Sequence, residues 1–428
     1  MKNHRTNSPS AFLAGIAAIA FLNVTALADT LTVMNLTDSD PGSLRATIAV
    51  ATEGDTIVFD DSLSGLTIVL NATSPLVIDK GLTIDGSSLP DGITISGNDV
   101  SRVFEVFKNG GDPIVVSMSD FTIADGFKVG NGGAIDNKEE LTLTDMTVTG
   151  NKCSFRGGAI VNSAVLNVFD STFEGNQSTT VGGTINNVAT ANFSNCTFTA
   201  NKALGDGGSA IYTEGLVTLV HCTVSGNTTL GGSSSAVYLN TGSTLAVENS
   251  IIAGNIPNTV EINKTAAATV LPTGVNLIGS NASVTTELPN DGVLIGTSVA
   301  PILPLLGMLA DNEGPTRTMF PDALSPAIDA ASMSSLILDQ RGVARPQEAG
   351  YDLGAVEDNT AELARIAKAL ADKQAALARA RAVKETSLNG KIKKLKKQIK
   401  AAKKKGKKKK GKKLKKSLKK YLKQLKEL

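Results

Sequence analysis

Apolar and polar residues alternate with a period of two in short runs along the middle of the chain. Leu141 and Leu143 share one face of such a run, and Leu166 and Val168 occupy the equivalent positions 25 residues later. This alternation is typical of a half-buried β-strand. The parity slips after each run, which indicates a corner before the next strand.

The runs belong to a repeat that is marked by paired glycines. The Gly-Gly pair recurs at positions 132, 157, 182, 207 and 231, at intervals of 25, 25, 25 and 24 residues. At about 3.3 Å per residue this path is too long for one strand and suits a coil of three short strands, each pairing with its equivalent one coil later. The sequence therefore predicts an all-β fold, a right-handed parallel β-helix with about 25 residues per coil.

A β-propeller or a β-sandwich is the alternative architecture for a glycine-rich β protein. Propeller blades need about 40 residues per repeat, and hairpin turns such as Asn-Gly would join the strands of a sandwich. The observed period therefore favours the β-helix.

The two ends of the chain differ from the repeat. Residues 1–28 combine a basic start, an apolar stretch and a small-residue site at Ala26 to Ala28, which predicts a secretory signal peptide. No later segment is long and apolar enough to predict a membrane span. Ser43 to Thr52 has helical spacing and is predicted to cap the first coil. The predicted parts are a signal peptide at 1–28, an N-terminal cap at 29–60, the β-helix at 61–280, its C-terminal end at 281–357, and a basic, helical and partly disordered tail at 358–428.

Positive and negative charges are separated along the chain, although the net charge of the whole chain is small. The 428 residues carry a formal net charge of +2. From Arg379 onward, 24 Lys and Arg stand against Glu385 and Glu427, a net charge of +22, which leaves −20 for the rest of the chain. An acidic body with a basic tail predicts salt-dependent self-association.

Several motifs resemble known families. Phe173–Asn176 and Phe198–Asn201, with the Gly-Gly-Ala-Ile units at 132–135 and 157–160, resemble the repeats of polymorphic outer membrane proteins. Pro41–Ile48 followed by Gly54–Phe59 looks like the N-terminal cap common in bacterial β-helix proteins. The segments that resemble the domain called choice-of-anchor Q are Asn276–Gly279, Leu309–Thr316, Ser325–Asp329, Asp339–Gly342 with Arg345-Pro346, and Asp352–Glu357.

The resemblance implies a surface or secreted β-helix whose extreme C-terminus holds a sorting or anchoring device. It implies no catalytic residue and no cofactor. In this chain a Lys-rich tail occupies the anchor position, so the expected location is the cell surface, the outer membrane or the medium.

One row of carboxylates is the first candidate site. Asp120, Asp145 and Asp170 occupy the same phase of the repeat, and the next three members are Asn195, His221 and Asn249. Stacked about 4.8 Å apart, the carboxylates repel one another unless they are solvated or bridged by a cation such as calcium. The alternative is that Asp and Asn simply form the corner, since both hydrogen-bond their own backbone. The corner interpretation is favoured.

Other polar residues offer little evidence for catalysis. His221 is expected on an exposed corner without a nucleophile beside it. Lys152 and Arg156 are the basic residues nearest to the acidic row and are expected in an ordinary turn. Cys196 and Cys222 fall in one inward stack, where two buried thiols are favoured over a disulfide between coils. The repeated asparagines at 151, 176, 201, 227 and 255 are interpreted as turn formers rather than as a sugar-binding row.

The Lys-rich run in the tail is the second candidate site. Its dense ammonium groups suit an anionic cell-surface polymer or lipid, whereas Tyr421 is the only aromatic residue there, which argues against specific nucleic-acid binding. A solvated tail without a partner is the alternative. The lysines predicted to bind an anionic surface are Lys403, Lys404, Lys405, Lys407, Lys408, Lys409, Lys410, Lys412 and Lys413.

The sequence thus favours an exported, non-enzymatic β-helix that acts in adhesion or in contacts with the cell envelope. The alternative is a polysaccharide lyase or hydrolase that acts on the lateral face of the β-helix.

Overall fold

The computed structural model describes residues 28–428 except 72, 233, 258, 348–349, 359, 405–407 and 427–428, and gives no side-chain environment for 360–373, 376–377 and 380. The predicted signal peptide, apart from Ala28, lies outside the described residues. So do Lys405 and Lys407 of the candidate lysine run.

The predicted parallel β-helix is confirmed, with four strands per coil where the sequence predicted three. Residues 25 positions apart pair in parallel, as Thr147 does with Thr172 and Thr172 with Thr197. The additional strand is only two residues long, for example Lys152–Cys153. Two residues cannot display an alternation, so the period-two pattern did not reveal this strand.

The strands form four parallel sheets, which we number in the order in which the chain visits them within a coil. Sheet 1 has ten strands: Thr30–Val33, Thr56–Phe59, Leu82–Asp85, Val115–Ser119, Glu140–Thr144, Val165–Phe169, Thr190–Ser194, Leu216–Val220, Thr244–Glu248 and Thr269–Thr273. Sheet 2 has nine: Thr67–Val69, Thr94–Ser96, Thr122–Ala124, Thr147–Thr149, Thr172–Glu174, Thr197–Thr199, Thr223–Val224, Ile251–Ile252 and Leu277–Ile278. Sheet 3 has five: Phe127–Lys128, Lys152–Cys153, Gln177–Ser178, Lys202–Ala203 and Thr228–Thr229. Sheet 4 has eight: Leu76–Ile78, Phe104–Val106, Ile135–Asn137, Ile160–Asn162, Ile185–Asn187, Ile211–Thr213, Val237–Leu239 and Ile262–Lys264.

Stacked apolar side chains fill the space between the sheets. Leu141, Leu166 and Val217, all predicted to point inward, are fully buried in one core that runs through the coils. Phe173 and Phe198 stack face to face with ring centroids 4.8 Å apart, close to the spacing of neighbouring coils. The core is therefore a set of rows that continue from coil to coil.

A ladder of buried asparagines closes the corner between sheets 2 and 3. The Nδ2 of Asn176 donates to the Oδ1 of Asn201 at 3.0 Å, and that oxygen also accepts the backbone N–H of Asn176. The same pattern joins Asn201 to Asn227 and Asn227 to Asn255. These asparagines lie at the predicted turn, but their side chains point inward, so a sugar-binding row is excluded.

The ladder ends on a carboxyl group. Asn255 is its last amide, and its Nδ2 donates to the Oε2 of Glu261 at 2.7 Å. Burial raises the pKa of Glu261 to about 8, so the carboxyl group is mainly neutral at pH 7. A neutral carboxyl group supplies the missing acceptor at a lower desolvation cost than a carboxylate would.

A second ladder, which the sequence analysis did not identify, lies at the end of the sheet 4 strands. The Nδ2 of Asn137 donates to the Oδ1 of Asn162 at 2.7 Å, and Asn162 donates to Asn187 at the same distance. Thr213 continues the row by accepting from Asn187. All four residues are fully buried, so the two polar ladders hold two corners of the coil.

The Gly-Gly pairs mark places where successive backbones nearly touch. A Cβ on Gly158 would lie 2.1 Å from the carbonyl oxygen of Gly183, and one on Gly183 would lie 2.1 Å from that of Ser209. The first glycine of each pair has a different requirement: Gly157 has a φ of +69°, a conformation that L side chains rarely adopt. In the coils of Gly157 and Gly182 both glycines are therefore needed to turn the chain into sheet 4, whereas in the next coil Gly208 keeps the positive φ and Ser209 takes the second position.

The N-terminal cap is confirmed as helix α1, Leu44–Val50, which is shorter than the predicted Ser43 to Thr52. Ser43 accepts the N–H of Ala46 as the N-cap residue. Leu44 and Ile48 are buried in the main core, so the helix covers the first coil. A single 3₁₀ turn, Asp61–Leu63, follows the second strand of sheet 1.

Residues 281–357 leave the coils, and where the structure describes this segment, which is everywhere but 348–349, it forms only isolated β-bridges. Val284 and Leu288 are buried against the last coil, and Ile295 forms one parallel bridge to Ile278. Residues 300–357, which we call the return segment, then run back over sheet 2. The sequence assigned 281–357 to the C-terminal end of the β-helix, and only its first part lies there.

The predicted helical tail is confirmed. It consists of α2, Thr360–Lys404, and α3, Lys408–Lys426. The Nζ of Lys391 lies 5.7 Å from the ring centroid of Tyr421. Since these two residues are equally distant from position 406, the helices form an antiparallel hairpin. Among the residues that the structure describes, no helix has the length and apolar character that crossing a membrane requires.

We predict that Gly158→Ala lowers the free energy of unfolding by about 3 kcal/mol, because the added methyl group overlaps a backbone carbonyl that is held by the next coil. Gly175→Ala is the matched control. Gly175 has a φ of +64° but no atom within 4 Å of the added Cβ, so that change should cost only about 1 kcal/mol of backbone strain. Urea unfolding measures both values, and equal losses would contradict the close-contact explanation.

Candidate functional site

The predicted acidic row lies at the corner between sheets 1 and 2. Asp120, Asp145 and Asp170 each have a φ between +51° and +60°, and the neutral members that follow in the row also have positive φ. Asp, Asn and His tolerate this left-handed conformation better than most residues. The repeated residue types at this phase therefore have a backbone reason, as the corner interpretation expected.

Two adjoining clefts open over the row. The first has a volume of about 520 Å³ and contains Asp120 and Asp145, with the loop from Gly86 to Gly92 as one wall and Pro315 of the return segment as another. The second, of about 410 Å³, contains Asp145 and Asp170 and is walled by residues 335–342. Asp145 is shared between them and lies at the centre of the candidate site.

The carboxyl groups of the row hold protons more strongly than isolated ones. Burial raises the pKa of Asp145 to about 7, and the charges of Asp120 and Asp170 add to the rise. Burial also raises the pKa of Asp170 to about 6, although a hydrogen bond from Asn195 opposes the change. The pKa of Asp120 is raised by burial and by the charge of Asp85. The row thus contains a carboxyl group that changes protonation near neutral pH.

The same row becomes neutral where the return segment covers it. Asn195 donates from Nδ2 to the carbonyl oxygen of Leu338 at 3.0 Å, and Asn249 accepts from the backbone N–H and the hydroxyl group of Ser332. Burying an amide costs much less than burying a carboxylate. The change from Asp to Asn and His along the repeat therefore marks where the cover begins.

The expectation that His221 lies on an exposed corner is wrong. Its side chain is fully buried beneath the return segment and contacts Asn249, with 3.2 Å between Nε2 and Nδ2. Burial lowers the pKa of His221 to about 3, and the charge of Arg345 contributes. The imidazole is therefore neutral at physiological pH and is not exposed to a substrate.

The return segment is fixed to sheet 2 by a row of threonines. Thr197 donates to the Oε1 of Gln340 at 2.7 Å, and the Nε2 of Gln340 donates to Thr172 at 2.7 Å. Thr223 accepts the N–H of Ala355. The sequence analysis missed this row, although Thr122, Thr147, Thr172 and Thr197 recur at intervals of 25 residues. Its uncovered members, including Thr122 and Thr147, line the first cleft.

Buried ion pairs hold the return segment together. Arg345 Nη1 lies 2.6 Å from Glu357 Oε2, and both side chains are fully buried. Arg341 Nη2 lies 2.8 Å from Asp339 Oδ2 in the same region. These residues belong to the motifs that resemble choice-of-anchor Q, so in this chain those motifs have a clear structural role.

Metal binding at the acidic row has no geometric support. Within the described part of the chain, no three His, Cys, Asp or Glu residues are grouped so that they could hold a metal ion. Calcium binding by Asp120, Asp145 and Asp170 stays a prediction from the sequence.

Lys152 and Arg156 do not line either cleft. Lys152 pairs with Asp99 at 3.0 Å. Arg156 pairs with Glu214 at 3.0 Å, and its guanidinium carbon lies 5.3 Å from the ring centroid of Tyr212. Sequence spacing did not indicate this contact, because Arg156 reaches across two coils.

Cys196 and Cys222 point into the core, as predicted. Their thiol groups are fully buried and are not joined by a disulfide. Each donates to a backbone carbonyl group, Cys196 to Ser194 and Cys222 to Phe193. Burial raises the pKa of Cys153 to about 11, so its thiolate is scarce at pH 7. None of the three cysteines offers a reactive nucleophile.

The candidate lysines in the tail are exposed wherever the structure describes them. These are Lys403, Lys404, Lys408, Lys409, Lys410, Lys412 and Lys413. On the opposite side of the hairpin, Leu388, Ile392 and Ala402 are buried. The sequence has no Asp or Glu between residues 386 and 426, so no carboxylate within this stretch offsets the charge of its lysines.

Comparison with family models, with curated proteins and with solved structures found no match to this chain. The parallel β-helix therefore rests on the structure itself. The resemblance to polymorphic outer membrane protein repeats and to choice-of-anchor Q rests on the motifs alone.

We predict that Asp145→Asn raises the melting temperature at pH 8 by about 2 °C or more and changes it little at pH 4. The raised pKa of Asp145 means that the folded state favours the protonated form, so wild-type stability falls as pH rises from about 4 to about 7. Asparagine tolerates the same left-handed backbone conformation and has no carboxyl group to ionise, so the variant should not lose stability over this pH range. Thermal unfolding between pH 4 and pH 8 tests this.

Asp125→Asn is the control for this change, since Asp125 also has a positive φ, +49°, but an exposed side chain. An equal gain in both variants at pH 8 would mean that total charge, rather than the buried row, sets the effect.

Proposed function

We propose that the protein is an exported, non-enzymatic β-helix that acts at the cell surface, and that the α2–α3 hairpin attaches it to an anionic polymer. The observation that carries this proposal is the exposure of the hairpin lysines within residues 386–426, a stretch that contains no Asp or Glu. The motif resemblance and the predicted signal peptide at 1–28 support export and a surface location.

The hairpin is a preformed charged surface. Lysine side chains of α3 such as Lys409, Lys413 and Lys416 are exposed, while Leu414, Leu418 and Leu425 are half-buried. A helix in this arrangement presents ammonium groups at several angles without first having to fold. Preorganisation reduces the entropy lost on binding.

The packing of the hairpin favours a polymer over the interior of a lipid bilayer. An amphipathic helix that lies in a membrane inserts its apolar face among the acyl chains. Here Leu388 and Ile392 are buried, so most of the apolar seam already has a partner. Charge attraction to carboxylate or phosphate groups is the interaction that remains available.

We predict that five Lys→Gln changes in α3, at Lys408, Lys409, Lys412, Lys413 and Lys416, weaken binding to a bead-bound polyuronate by at least about 100-fold. Each basic residue contributes on the order of 1 kcal/mol near an anionic surface. Binding is measured in 0.05 M and 0.5 M NaCl, because exposed charge attraction declines with added salt.

The matched control carries Lys→Arg at the same five positions and should bind like wild type. In producing cells, the Gln variant should move from the protease-accessible cell surface into the medium. Unchanged polymer binding and unchanged partition in the Gln variant would rule out attachment by the hairpin. Preferential binding to phosphatidylglycerol vesicles would identify lipid as the partner instead.

Carbohydrate hydrolysis in the cleft is the second candidate function. The observation that favours it is the group of Asp120, Asp145 and Asp170 in adjoining clefts, with the pKa of Asp145 raised to about 7. Paired carboxyl groups with different proton affinities are the usual acid and base of glycoside hydrolysis. Neither Lys152 nor Arg156 lies there, and Arg341, which lines the second cleft, is held by its ion pair with Asp339. This arrangement favours a hydrolase over a lyase with a basic catalytic residue.

We expect incubation with neutral and acidic polysaccharides to release no reducing ends and no unsaturated products if the first proposal is correct. Wild type and Asp145→Asn are assayed in parallel between pH 5 and pH 8. Product release by wild type that is lost in Asp145→Asn would replace adhesion with hydrolysis as the function of the body.

A further inference from the structure

The outer face of sheet 1 is a wide, regular surface of the body, and in the described part of the chain no helix or strand covers it. In each five-residue strand, the first, third and fifth side chains point outward, as Glu140, Thr142 and Thr144 do. In-register pairing places these side chains in three straight rows along the solenoid. We call this surface face 1.

Face 1 differs from the rest of the body in charge. The ten strands contain no Lys or Arg, and their acidic residues are Asp85, Glu140 and Glu248. The body as a whole carries a net charge of −20 outside the tail. Two bodies that approach through any other acidic surface repel one another, and this repulsion is weak at face 1.

Large apolar side chains also lie on this face. Val165 is 36% exposed, Phe169 40% and Leu216 39%, and Val115 and Leu271 are more than half exposed. Along the paired rows these side chains alternate with polar residues that are almost all uncharged, so the face offers apolar contacts with few charges to bury.

We propose that face 1 is the interface of a homodimer, in which a second copy of this chain packs its own face 1 against it. This goes beyond attachment by the hairpin and does not depend on it. The two sheets pack with their strand directions nearly aligned, at about the 10 Å separation of stacked sheets.

The distribution of side chains selects one arrangement. A twofold axis that runs along the solenoid between the two faces places the first row of each strand opposite the third row of the same strand in the partner. Val165 then faces the partner's Phe169, and Leu216 faces the partner's Val220. Glu140 faces the partner's Thr144, so no carboxylate meets another.

The area of face 1 suits a specific dimer. Seven strands of five residues and three of four, about 4.8 Å apart, span roughly 45 Å by 13 to 16 Å, or on the order of 650 Å² for each copy. Stable protein interfaces bury about 800 Å² per partner. Side-chain relief adds to the flat area, so face 1 is large enough to form a dimer without the tail.

The test is the mass of the full-length chain by light scattering at about 50 µM, in 0.15 M and 1 M NaCl. We expect a dimer in both. The double variant Phe169→Lys and Leu216→Lys should be monomeric and keep the far-UV circular dichroism of wild type, since both side chains are partly exposed in the single chain. Val77→Lys, on the outer face of sheet 4 and 47% exposed, is the matched control and should stay dimeric.

A cysteine placed on the axis tests the arrangement. Thr218 belongs to the middle row, which faces itself across the proposed axis at about the 10 Å separation of packed sheets. That distance is too long for a disulfide but suits a bismaleimide of about the same span, so this reagent should cross-link Thr218→Cys into a covalent dimer and leave Val77→Cys monomeric. The native cysteines are buried. A monomer at both salt concentrations would overturn the proposal, as would a dimer that dissociates in 1 M NaCl, which would point to the basic tail. Sedimentation of a monomer with a neutral, insoluble polysaccharide that is lost in the double variant, and kept when the five hairpin lysines are changed to Gln, would assign face 1 to that ligand instead.

Discussion

The whole solenoid depends on keeping successive backbones within one strand spacing at every corner, where no regular sheet holds them. The asparagine ladder from Asn151 to Asn255 meets this constraint at one corner, because each side-chain oxygen accepts a backbone N–H and an amide N–H from the preceding coil. At the entry to sheet 4 in the central coils, Gly158 and Gly183 leave no room for a side chain and let carbonyl groups approach directly. Hydrogen-bonded side chains thus hold successive coils together at one corner, and glycines allow close backbone contact at another.

Burial explains why the ladders use amides and why the acidic row changes along its length. An amide can donate and accept, so a stack of asparagines leaves few unsatisfied atoms, whereas stacked carboxylates only accept and repel. Where the corner between sheets 1 and 2 is open, Asp145 occurs. Beneath the return segment the same phase holds Asn195 and Asn249. The residue types at this corner therefore match the degree of burial that the return segment imposes on them.

The architecture could be predicted from sequence because the repeat is encoded locally, in residues such as Leu141 and Gly157 that recur at fixed spacing. The third sheet could not, since two-residue strands show no period. The burial of His221 was missed for a different reason. The residues that cover it lie more than 100 positions later in the chain, and the repeat pattern does not indicate which segment packs on the coils. The Thr172 and Thr197 row did carry a signal, but threonine on an outer strand face is ordinary until its partner Gln340 is known.

Charge and flatness divide the molecule into surfaces with different partners. The hairpin concentrates positive charge, the clefts concentrate carboxyl groups, and face 1 has almost no charge. In the proposed dimer the twofold axis runs along the solenoid, so equivalent coils of the two copies lie at the same level and both tails begin at the same end. A second tail then binds a polymer already held by the first, and the effective concentration of the second contact is set by the dimer rather than by diffusion. Weak, salt-sensitive contacts made by individual lysines would in this way become firm attachment without any deep binding pocket.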